Sequence, residues 1–193
     1  VLIQVVDSSG KTDLEGNAME GADPIKEINF LKNELCQWVG EIIIRNWSRN
    51  ARSVEAGEKM EDFLSDRLAG LKFSREHVLQ SLRKAAITKP IMKWGLEDAI
   101  ILAEYLQKSA KPIVISANKA DISSEENLSS LIKLSAIVTA ADYELALKNA
   151  TKVGLISYNS GDSVFQLNDK KKLTESQIKA IQTIKDFILH YGS

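Results

Sequence analysis

The sequence predicts an α/β fold, in which a parallel sheet with flanking helices carries an inserted α-helical arm. Short apolar runs rich in β-branched residues occur towards both ends of the chain, and helical patterns alternate with them: "VLIQVV", "IVIS" and "AIVTA". This alternation is typical of parallel strands joined by helical crossovers. Between these regions, residues 23–90 have helical periodicity and no strand pattern. The 193 residues of the chain suffice for one core with a helical appendage.

The N-terminal half predicts one strand, one loop and three helices. Asp23 and Pro24 begin the first helix, because Asp is a preferred N-cap and Pro suits the first helical position. Gly70 is suited to end the second helix as its C-cap, and Ser74 to cap the third. The predicted order is a strand at 1–6, a turn at 7–10, a surface loop at 13–22, and helices from 23 to 42, from 54 to 70 and from 74 to near 90.

The C-terminal half alternates helices with strands. Ser123 with Glu126, and Thr174 with Gln177, match the capping box that begins a helix, and Gly154 suits a C-cap. The predicted order is a helix over 96–108, the strand "IVIS", a helix ending near Leu134, the strand "AIVTA", a helix over 142–151 and a last helix ending at His190. The chain then divides into a strand and loop at 1–22, an inserted helical domain at 23–94 and a second α/β part at 95–193.

Composition and charge exclude several classes of protein. The net charge of −1 gives no global reason to expect DNA or an acidic membrane surface as a partner. The single cysteine, Cys36, cannot form a disulfide within the chain and fits a reducing, cytoplasmic compartment. No apolar run is long enough to cross a bilayer, and no signal peptide is present. Because the chain begins with Val inside a strand pattern, we expect it to be a piece of a longer protein.

The stretch most informative about function is "PIVISANKADIS". Its Asn-Lys-Ala-Asp tetrapeptide, residues 118–121, follows the carboxyl end of a predicted parallel strand, where α/β folds bind ligands. These residue types suit guanine. An ionised Asp121 can accept hydrogen bonds from the ring N1–H and the exocyclic amino group, the Lys119 stem can lie along the base, and the Asn118 amide can tie neighbouring loops. The alternative is an ordinary strand-to-helix turn, in which Asn and Asp are common.

A second stretch, Ser9-Gly10-Lys11-Thr12, has the ending of a phosphate-binding loop without the rest of the pattern. That loop is G-x-x-x-x-G-K-[ST], because its first glycine opens the turn that aims backbone N–H groups at the phosphates. Five residues before Gly10 stands Val5, a β-branched residue in the middle of a predicted strand. We therefore expect no phosphate site in this loop.

Several segments together resemble the Obg-related, YchF-type branch of GTP-binding proteins, especially its archaeal-like members: "VVDSSGKTDLEG", "DPIKEINFLKNEL", "KPIVISANKAD" and "ADYELALKNATKVGLISY". The resemblance covers almost the whole chain, and residues 118–121 resemble the guanine-specificity motif of translation-factor-class GTPases. It implies a partial P-loop GTPase domain with an inserted helical arm. It also implies that the phosphate loop, both switches and the Mg²⁺ ligands precede Val1, and that a small TGS domain follows Ser193.

The resemblance implies roles for the segment "VTAAD" as well. Ala141 would present its backbone N–H to guanine O6, while Ala140 stands where the family usually has a Ser that supports the specificity Asp. Many proteins of this branch carry Glu at the position of Asp121 and prefer ATP, so Asp121 together with Lys119 favours GTP. The intact protein is expected to hydrolyse GTP with Mg²⁺. This chain alone is expected to be inactive, because phosphate and metal contacts supply the catalysis.

The helical part offers a second type of site. Arg45, Arg49 and Arg52 fall at i, i+4 and i+7 beside Trp47, a basic stripe suited to ribosomal RNA phosphates or a protein partner; the alternative is a solvated helix face. The run Lys170–Lys172 is predicted to be a solvated loop. Two functions remain open. One is the guanine-binding part of a translation-associated, ribosome-linked GTPase, and the other is a helical module that docks a ribosome or protein partner without catalysis of its own.

Overall fold

The computed structural model of the protein describes residues 1–168 and 173–192, and the predicted loop at Lys170–Lys172 lies outside them. The strands are β1 (Leu2–Asp7), β2 (Ile113–Asn118), β3 (Ile137–Val138), β4 (Ile156–Ser157) and β5 (Gln166–Leu167). The helices are α1 (Pro24–Ile44), α2 (Trp47–Glu55), α3 (Met60–Arg67), α4 (Arg75–Ala85), α5 (Leu96–Ala110), α6 (Glu125–Lys133), α7 (Ala141–Lys152) and α8 (Glu175–Tyr191).

A parallel sheet of three strands, in the order β1-β2-β3, confirms the predicted α/β class. β2 and β3 pair in parallel with Ser116 opposite Ile137. β1 runs alongside β2 in the same direction, since the N–H of Leu2 donates to the carbonyl of Pro112 at 3.0 Å and, six residues further along both segments, the N–H of Ser8 donates to that of Asn118 at 2.9 Å. The carboxyl ends of all three strands therefore lie at one edge of the sheet, where ligands bind in folds of this class.

The region predicted to be a helical arm contains helices and turns, and no strand lies among the described residues from 24 to 110. The start of α1 is as predicted: the Asp23 carboxylate accepts a hydrogen bond from the N–H of Ile25 at 2.9 Å. The predicted helix over 54–70 is wrong, because α2 ends at Glu55 and α3 begins at Met60. Gly57 lies in the break with a φ of 112°, a conformation that a helix cannot include.

Helix ends depend on capping, and one predicted C-cap is wrong. Gly70 lies inside a 3₁₀ turn over Ala69–Leu71, and the residue with the left-handed backbone is Lys72, at φ 58°. The predicted cap of the next helix is confirmed, since the Ser74 hydroxyl accepts a hydrogen bond from the N–H of His77. In return, Nδ1 of His77 accepts a hydrogen bond from the N–H of Ser74. These two bonds satisfy N–H groups that a helix start otherwise leaves unpaired.

The C-terminal helices follow their predicted signals with one exception. The capping box of Thr174 with Gln177 is present at the start of α8, and Gly154 takes a φ of 75° after α7. The helix α6 is capped by Ser124, which accepts from the N–H of Asn127, and not by Ser123 as predicted. The antiparallel pair β4–β5 was not predicted, because each strand has only two residues and no period can be read from it.

Contacts between residues divide the described chain into two units. The first unit comprises Val1–Gln4 and Lys26–Val114, and the second comprises Val5–Ile25 and the described residues from Ile115 onward. The core of the first unit combines Leu64 and Leu68 with Leu102 and Leu106 of α5. The predicted three-part division, with its boundary before residue 95, remains a prediction. The core of the second unit consists of Leu147, Ile156, Tyr158, Ile184 and Ile188.

Candidate functional site

The predicted base-recognition loop begins where β2 ends. Asn118 is the last residue of β2, Lys119 has a left-handed backbone with φ 60°, and Ala120–Ile122 forms a 3₁₀ turn. A positive φ is unfavourable for a residue with a side chain. Contacts on both sides hold this conformation in place, including the N–H of Ala120, which donates to the carbonyl of Thr139 at 3.2 Å.

Asn118 joins three loops at the edge of the sheet. Its Oδ1 accepts a hydrogen bond from the N–H of Ala141 at 3.0 Å, which links it to the start of α7. Its backbone carbonyl accepts from the Ser8 hydroxyl at 2.7 Å, which links it to the loop after β1. The side-chain amide therefore ties the base-recognition loop to the start of α7, and the backbone carbonyl of the same residue ties it to the loop after β1.

Lys119 forms an ion pair that the sequence analysis missed. Its Nζ donates to Oδ2 of Asp7 at 2.7 Å, across 112 positions of sequence. The Asp7 carboxylate is only 9 % exposed and also accepts from the N–H of Ser9 and from the hydroxyls of Ser9 and Thr12. Burial alone raises the pKa of Asp7, but the hydrogen bonds from Lys119, Ser9 and Thr12 outweigh it and lower that pKa to about 2. Asp7 is therefore a carboxylate at any physiological pH.

The order of the strands explains why Asp7 and Lys119 can form an ion pair. Asp7 ends β1 as Asn118 ends the neighbouring parallel strand β2, so both strand ends lie at the same edge of the sheet. A carboxylate at one strand end and a lysine just after the next suggest an ion pair once the strand order is known. The order β1-β2 is a tertiary property, and sequence patterns alone do not give it.

Asp121 lies in the 3₁₀ turn and is half-buried. Within residues 1–168 and 173–192, no group donates a hydrogen bond to its carboxylate. Its negative charge reaches Tyr143 of α7: burial raises the pKa of the Tyr143 phenol, and the charge of Asp121 raises it further. Tyr143 is thus a neighbour of the predicted specificity residue, and no sequence pattern indicated this.

Ala140 and Ala141 lie at the start of α7. Ala140 is the N-cap residue and is buried, whereas Ala141 is exposed. The N–H of Ala141, expected from the resemblance to contact guanine O6, donates to Asn118 in this structure. A guanine oxygen would have to share that N–H with the Asn118 amide or take its place. The guanine contact at Ala141 remains a prediction.

A cavity of about 400 Å³ lies beside these loops within the second unit. Asn118 and Ala141 contribute to its lining, which is mainly apolar and includes Val138, Leu147 and Ile188. Lys119 and Asp121 do not line it. Of the residues predicted to form the base site, Asn118, Ala140 and Ala141 therefore line this cavity, whereas Lys119 and Asp121 do not.

The loop at Ser9-Gly10-Lys11-Thr12 is a turn and not a phosphate loop. No helix follows it before Pro24, so it lacks the helix N-terminus that binds phosphate in such loops. Gly10 has a φ of 66°, and an added Cβ would lie 2.6 Å from the carbonyl oxygen of Ala22. The glycine is therefore required by this turn's own geometry.

The three arginines of the predicted basic stripe are exposed, but they do not share one continuous helix. Arg45 follows α1, and the left-handed residue Asn46 separates it from α2, which carries the other two. Trp47, which stands beside the stripe in the sequence, is buried: its indole N–H donates to the carbonyl of Ile91, and its ring stacks on Trp94 at 5.5 Å. The contact of these arginines with RNA or a partner remains a prediction.

The described residues contain neither a metal-binding cluster nor a membrane-spanning helix. No group of three or more His, Cys, Asp or Glu side chains in the described part of the chain is arranged to hold a metal ion. None of the helices described is both long and apolar enough to span a bilayer.

Residues 116–193, which contain the Asn118–Asp121 loop, match the family model described as "Obg-like GTPase YGR210-like, G4 motif-containing domain". Residues 116–193 are therefore similar to a domain of Obg-like GTP-binding proteins, and the parallel pairing of β2 with β3 in this region fits an α/β domain.

Individual relatives agree with this family. The chain is 38 % identical over 195 residues to a GTP-binding protein of Methanocaldococcus jannaschii, a match that covers 98 % of the chain and 49 % of the relative. It is 24 % identical over 205 residues to a GTP-binding protein of Schizosaccharomyces pombe, a match that covers 100 % of the chain and 50 % of the relative. The fold is similar to the crystal structure of a GTP-binding protein from Pyrococcus horikoshii OT3, with a TM-score of 0.77 and 30 % sequence identity. This match covers 100 % of the chain and 53 % of the solved one. The chain spans about half the length of the curated relatives it matches.

Proposed function

We propose that this chain is the base-recognition part of a guanine-nucleotide-binding protein, and that Asn118, Lys119 and Asp121 read the guanine base. The observation that carries the proposal is the state of Asp121, whose carboxylate accepts no hydrogen bond from the described residues while its neighbours in the loop are held by bonds. A carboxylate of this kind, at the carboxyl edge of a parallel sheet, suits the two N–H groups of a guanine edge. The names of the relatives, all GTP-binding proteins, support the same ligand.

A more specific proposal concerns the branch of the family and the role of the intact protein. We propose that the intact protein is a translation-associated GTPase of the YchF type that acts on ribosomes in the cytoplasm. The resemblance of the quoted segments supports the branch. The buried free cysteine, Cys36, fits a reducing compartment.

Catalysis is proposed for the intact protein alone. Mg²⁺ and the phosphate contacts would come from residues outside these 193, consistent with relatives that are about twice as long as the matched region. Phosphoryl transfer depends on charge stabilisation around the phosphates and the metal. This chain, purified alone, should therefore show no Mg²⁺-dependent release of phosphate from GTP above a protein-free blank. Turnover by the isolated chain would contradict this division of roles.

The test of base recognition is a competition experiment. Unlabelled GTP and ATP are titrated against a fluorescent GDP bound to the intact protein. The proposal predicts that GTP displaces the probe at concentrations at least about tenfold lower than ATP, because adenine offers Asp121 no N1–H and no 2-amino group. Equal displacement by the two nucleotides would contradict guanine recognition.

The second function, a docking role for the helical part, rests on the exposed arginines. Arg45, Arg49 and Arg52 all present side chains to solvent, and exposed arginines bind phosphates through charge-assisted hydrogen bonds. Replacement of all three by Gln should weaken ribosome co-sedimentation of the intact protein and reduce its salt dependence. Unchanged co-sedimentation would leave the arginines as a solvated helix surface.

A further inference from the structure

The loop after β1 makes a contact with the base-recognition loop that neither the family match nor the sequence assigns a role. Asp7 lies at the end of β1 and binds the Nζ of Lys119 at 2.7 Å. The same carboxylate accepts two hydrogen bonds from Ser9 and one from Thr12. Four donors fill the acceptor capacity of a carboxylate. Asp7 is therefore fixed by its own loop and offers Lys119 a rigid partner.

Lys119 needs such a partner because its exposed side chain would otherwise be free to adopt many rotamers. Its backbone has φ 60°, and its side chain is 44 % exposed. A lysine stem has four methylene groups and considerable rotamer freedom when its ammonium group is unbound. With Nζ held by Asp7, the stem is fixed at both ends and keeps one side open to solvent, which is the arrangement that a flat base requires of a lysine stem beneath it.

The two loops are held together by more than the ion pair. The Ser8 carbonyl accepts from the Ser123 hydroxyl at 2.6 Å and from the Asn127 side-chain amide at 3.0 Å. These bonds fix the start of the Asp7 loop against the segment that follows the base-recognition loop. Because its loop is held in place by these bonds, the Asp7 carboxylate can fix the position of the Lys119 side chain, more than a hundred residues away in the sequence.

We propose that Asp7 is a positioning residue for nucleotide binding, which holds the Lys119 stem as the surface against which the guanine base lies. This proposal rests on the proposed base recognition and adds to it a residue that does not touch the nucleotide. It also gives the Ser9–Thr12 loop a role: the loop holds Asp7 in place and does not bind phosphate.

A double-mutant cycle on the intact protein tests the proposal, with fluorescent GDP as the probe. Asp7→Asn removes the anionic partner, and Lys119→Met keeps an unbranched stem but removes the ammonium group. Each should weaken GDP binding roughly fivefold, an effect within the range of coupled neighbours. Because both changes break the same contact, the double variant should bind GDP no more than about twofold more weakly than either single variant.

The matched control is Asp13→Asn. Asp13 lies in the same loop region and its carboxylate binds Asn17 and the N–H of Glu15, but not Lys119. Its replacement should leave GDP affinity unchanged. Unchanged affinity in Asp7→Asn, or losses that multiply in the double variant, would overturn the positioning role. A parent protein that does not bind GDP would overturn the proposed base recognition itself, and this proposal with it.

A measurement on the unmutated protein covers the case in which Asp7→Asn does not fold. Lysine side chains labelled with ¹⁵N report the order of each Nζ by NMR. The Lys119 Nζ, assigned by its loss in Lys119→Met, should be ordered before GDP is added and remain ordered when GDP is bound. Loss of order at this Nζ on GDP binding would contradict the proposal, because Asp7 would then no longer bind Lys119 in the complex.

Discussion

The two units of this protein use polar side chains in different ways. In the first unit the ion pairs join residues close in sequence and are partly exposed, as in the pairing of Arg75 with Glu61 and Asp62. The interior of this unit is apolar and includes the stacked rings of Trp47 and Trp94. In the second unit polar bonds join distant segments, such as Asp7 with Lys119 and Ser8 with Asn118, Ser123 and Asn127. Polar bonds of this kind fix the position of loops, which an apolar core alone does not specify. In the second unit these bonds lie at the carboxyl edge of the sheet, whereas a long-range bond of the first unit, from Trp47 to Ile91, lies beside its apolar core.

The largest expected effect tests packing in the first unit. Leu102 is fully buried, and Leu102→Ala should lower the free energy of unfolding by about 2–5 kcal/mol because it removes apolar contacts and leaves a cavity. The control is Ile101→Ala in the same helix, where the side chain is 44 % exposed and a much smaller loss is expected. Urea unfolding measures both. Similar losses in the two variants would contradict a core that is specific to one side of α5.

The next effect tests the polar network of the second unit through pH. Because the pKa of Asp7 is about 2 in the folded protein and near 3.8 when unfolded, its ionised form stabilises the fold above about pH 4. That contribution is lost as the pH falls towards 2. A shift of this size corresponds to roughly 2 kcal/mol at most, since each pKa unit is about 1.4 kcal/mol and the partner Lys119 is partly solvated.

Asp7→Asn should therefore destabilise the protein at pH 7 and have little effect near pH 2, measured by urea unfolding across this range. Glu58→Gln, a change at an exposed carboxylate outside the network, should show no such pH dependence. A destabilisation by Asp7→Asn that is equal at pH 7 and pH 2 would rule out the ionised carboxylate as its cause.

The smallest expected effect tests a local polar bond of the first unit. Ser74 caps α4 through the N–H of His77, so Ser74→Ala should cost about 1 kcal/mol of stability. Ser53→Ala is the control, because Ser53 is exposed within α2 and alanine is the better helix former there. Thermal unfolding compares them. If Ser53→Ala lowers the melting temperature as much as Ser74→Ala does, the cap is not what stabilises α4.

Sequence patterns predicted most elements of the fold because their signals are local. Asp23-Pro24, Ser74 and Thr174 each mark a helix start through bonds made within three residues, and the structure contains all three starts. The break between α2 and α3 was missed because a single glycine, here Gly57, is tolerated within a helical pattern and does not by itself mark the end of a helix. Ser123 and Ser124 stand side by side, and no pattern decides which one caps α6; the bond from Ser123 to the Ser8 carbonyl decides it.

The candidate site was predicted only in part, for a physical reason. The Asn118–Asp121 loop begins at the last residue of β2, at the carboxyl end of a parallel strand as its sequence context indicated. Asp7 was missed because the ion pair with Lys119 depends on which strands are neighbours. Tyr143 was missed because its proximity to Asp121 depends on where α7 begins relative to the loop after β2. Contacts of this kind follow from tertiary structure and leave no spacing in the sequence.

The central claim is that Asp121 reads the guanine base, and one substitution tests it most directly. Asp121→Asn turns one acceptor into a donor that faces the guanine amino group. Since hydrogen bonds to a charged group contribute about 1.5–3 kcal/mol each, GTP binding should weaken by at least about tenfold. Xanthine has a carbonyl in place of that amino group, so the variant should gain preference for XTP.

Competition binding of GTP, ATP and XTP to the intact protein is the measurement, with Asp142→Asn as the matched control. Asp142 is an exposed acidic residue in the first turn of α7, and its replacement should leave the order of the three nucleotides unchanged. The account predicts a shift from GTP towards XTP in Asp121→Asn alone. If Asp121→Asn binds GTP as tightly as the parent protein does, residues 118–121 form only a turn and the assignment of the base site is wrong.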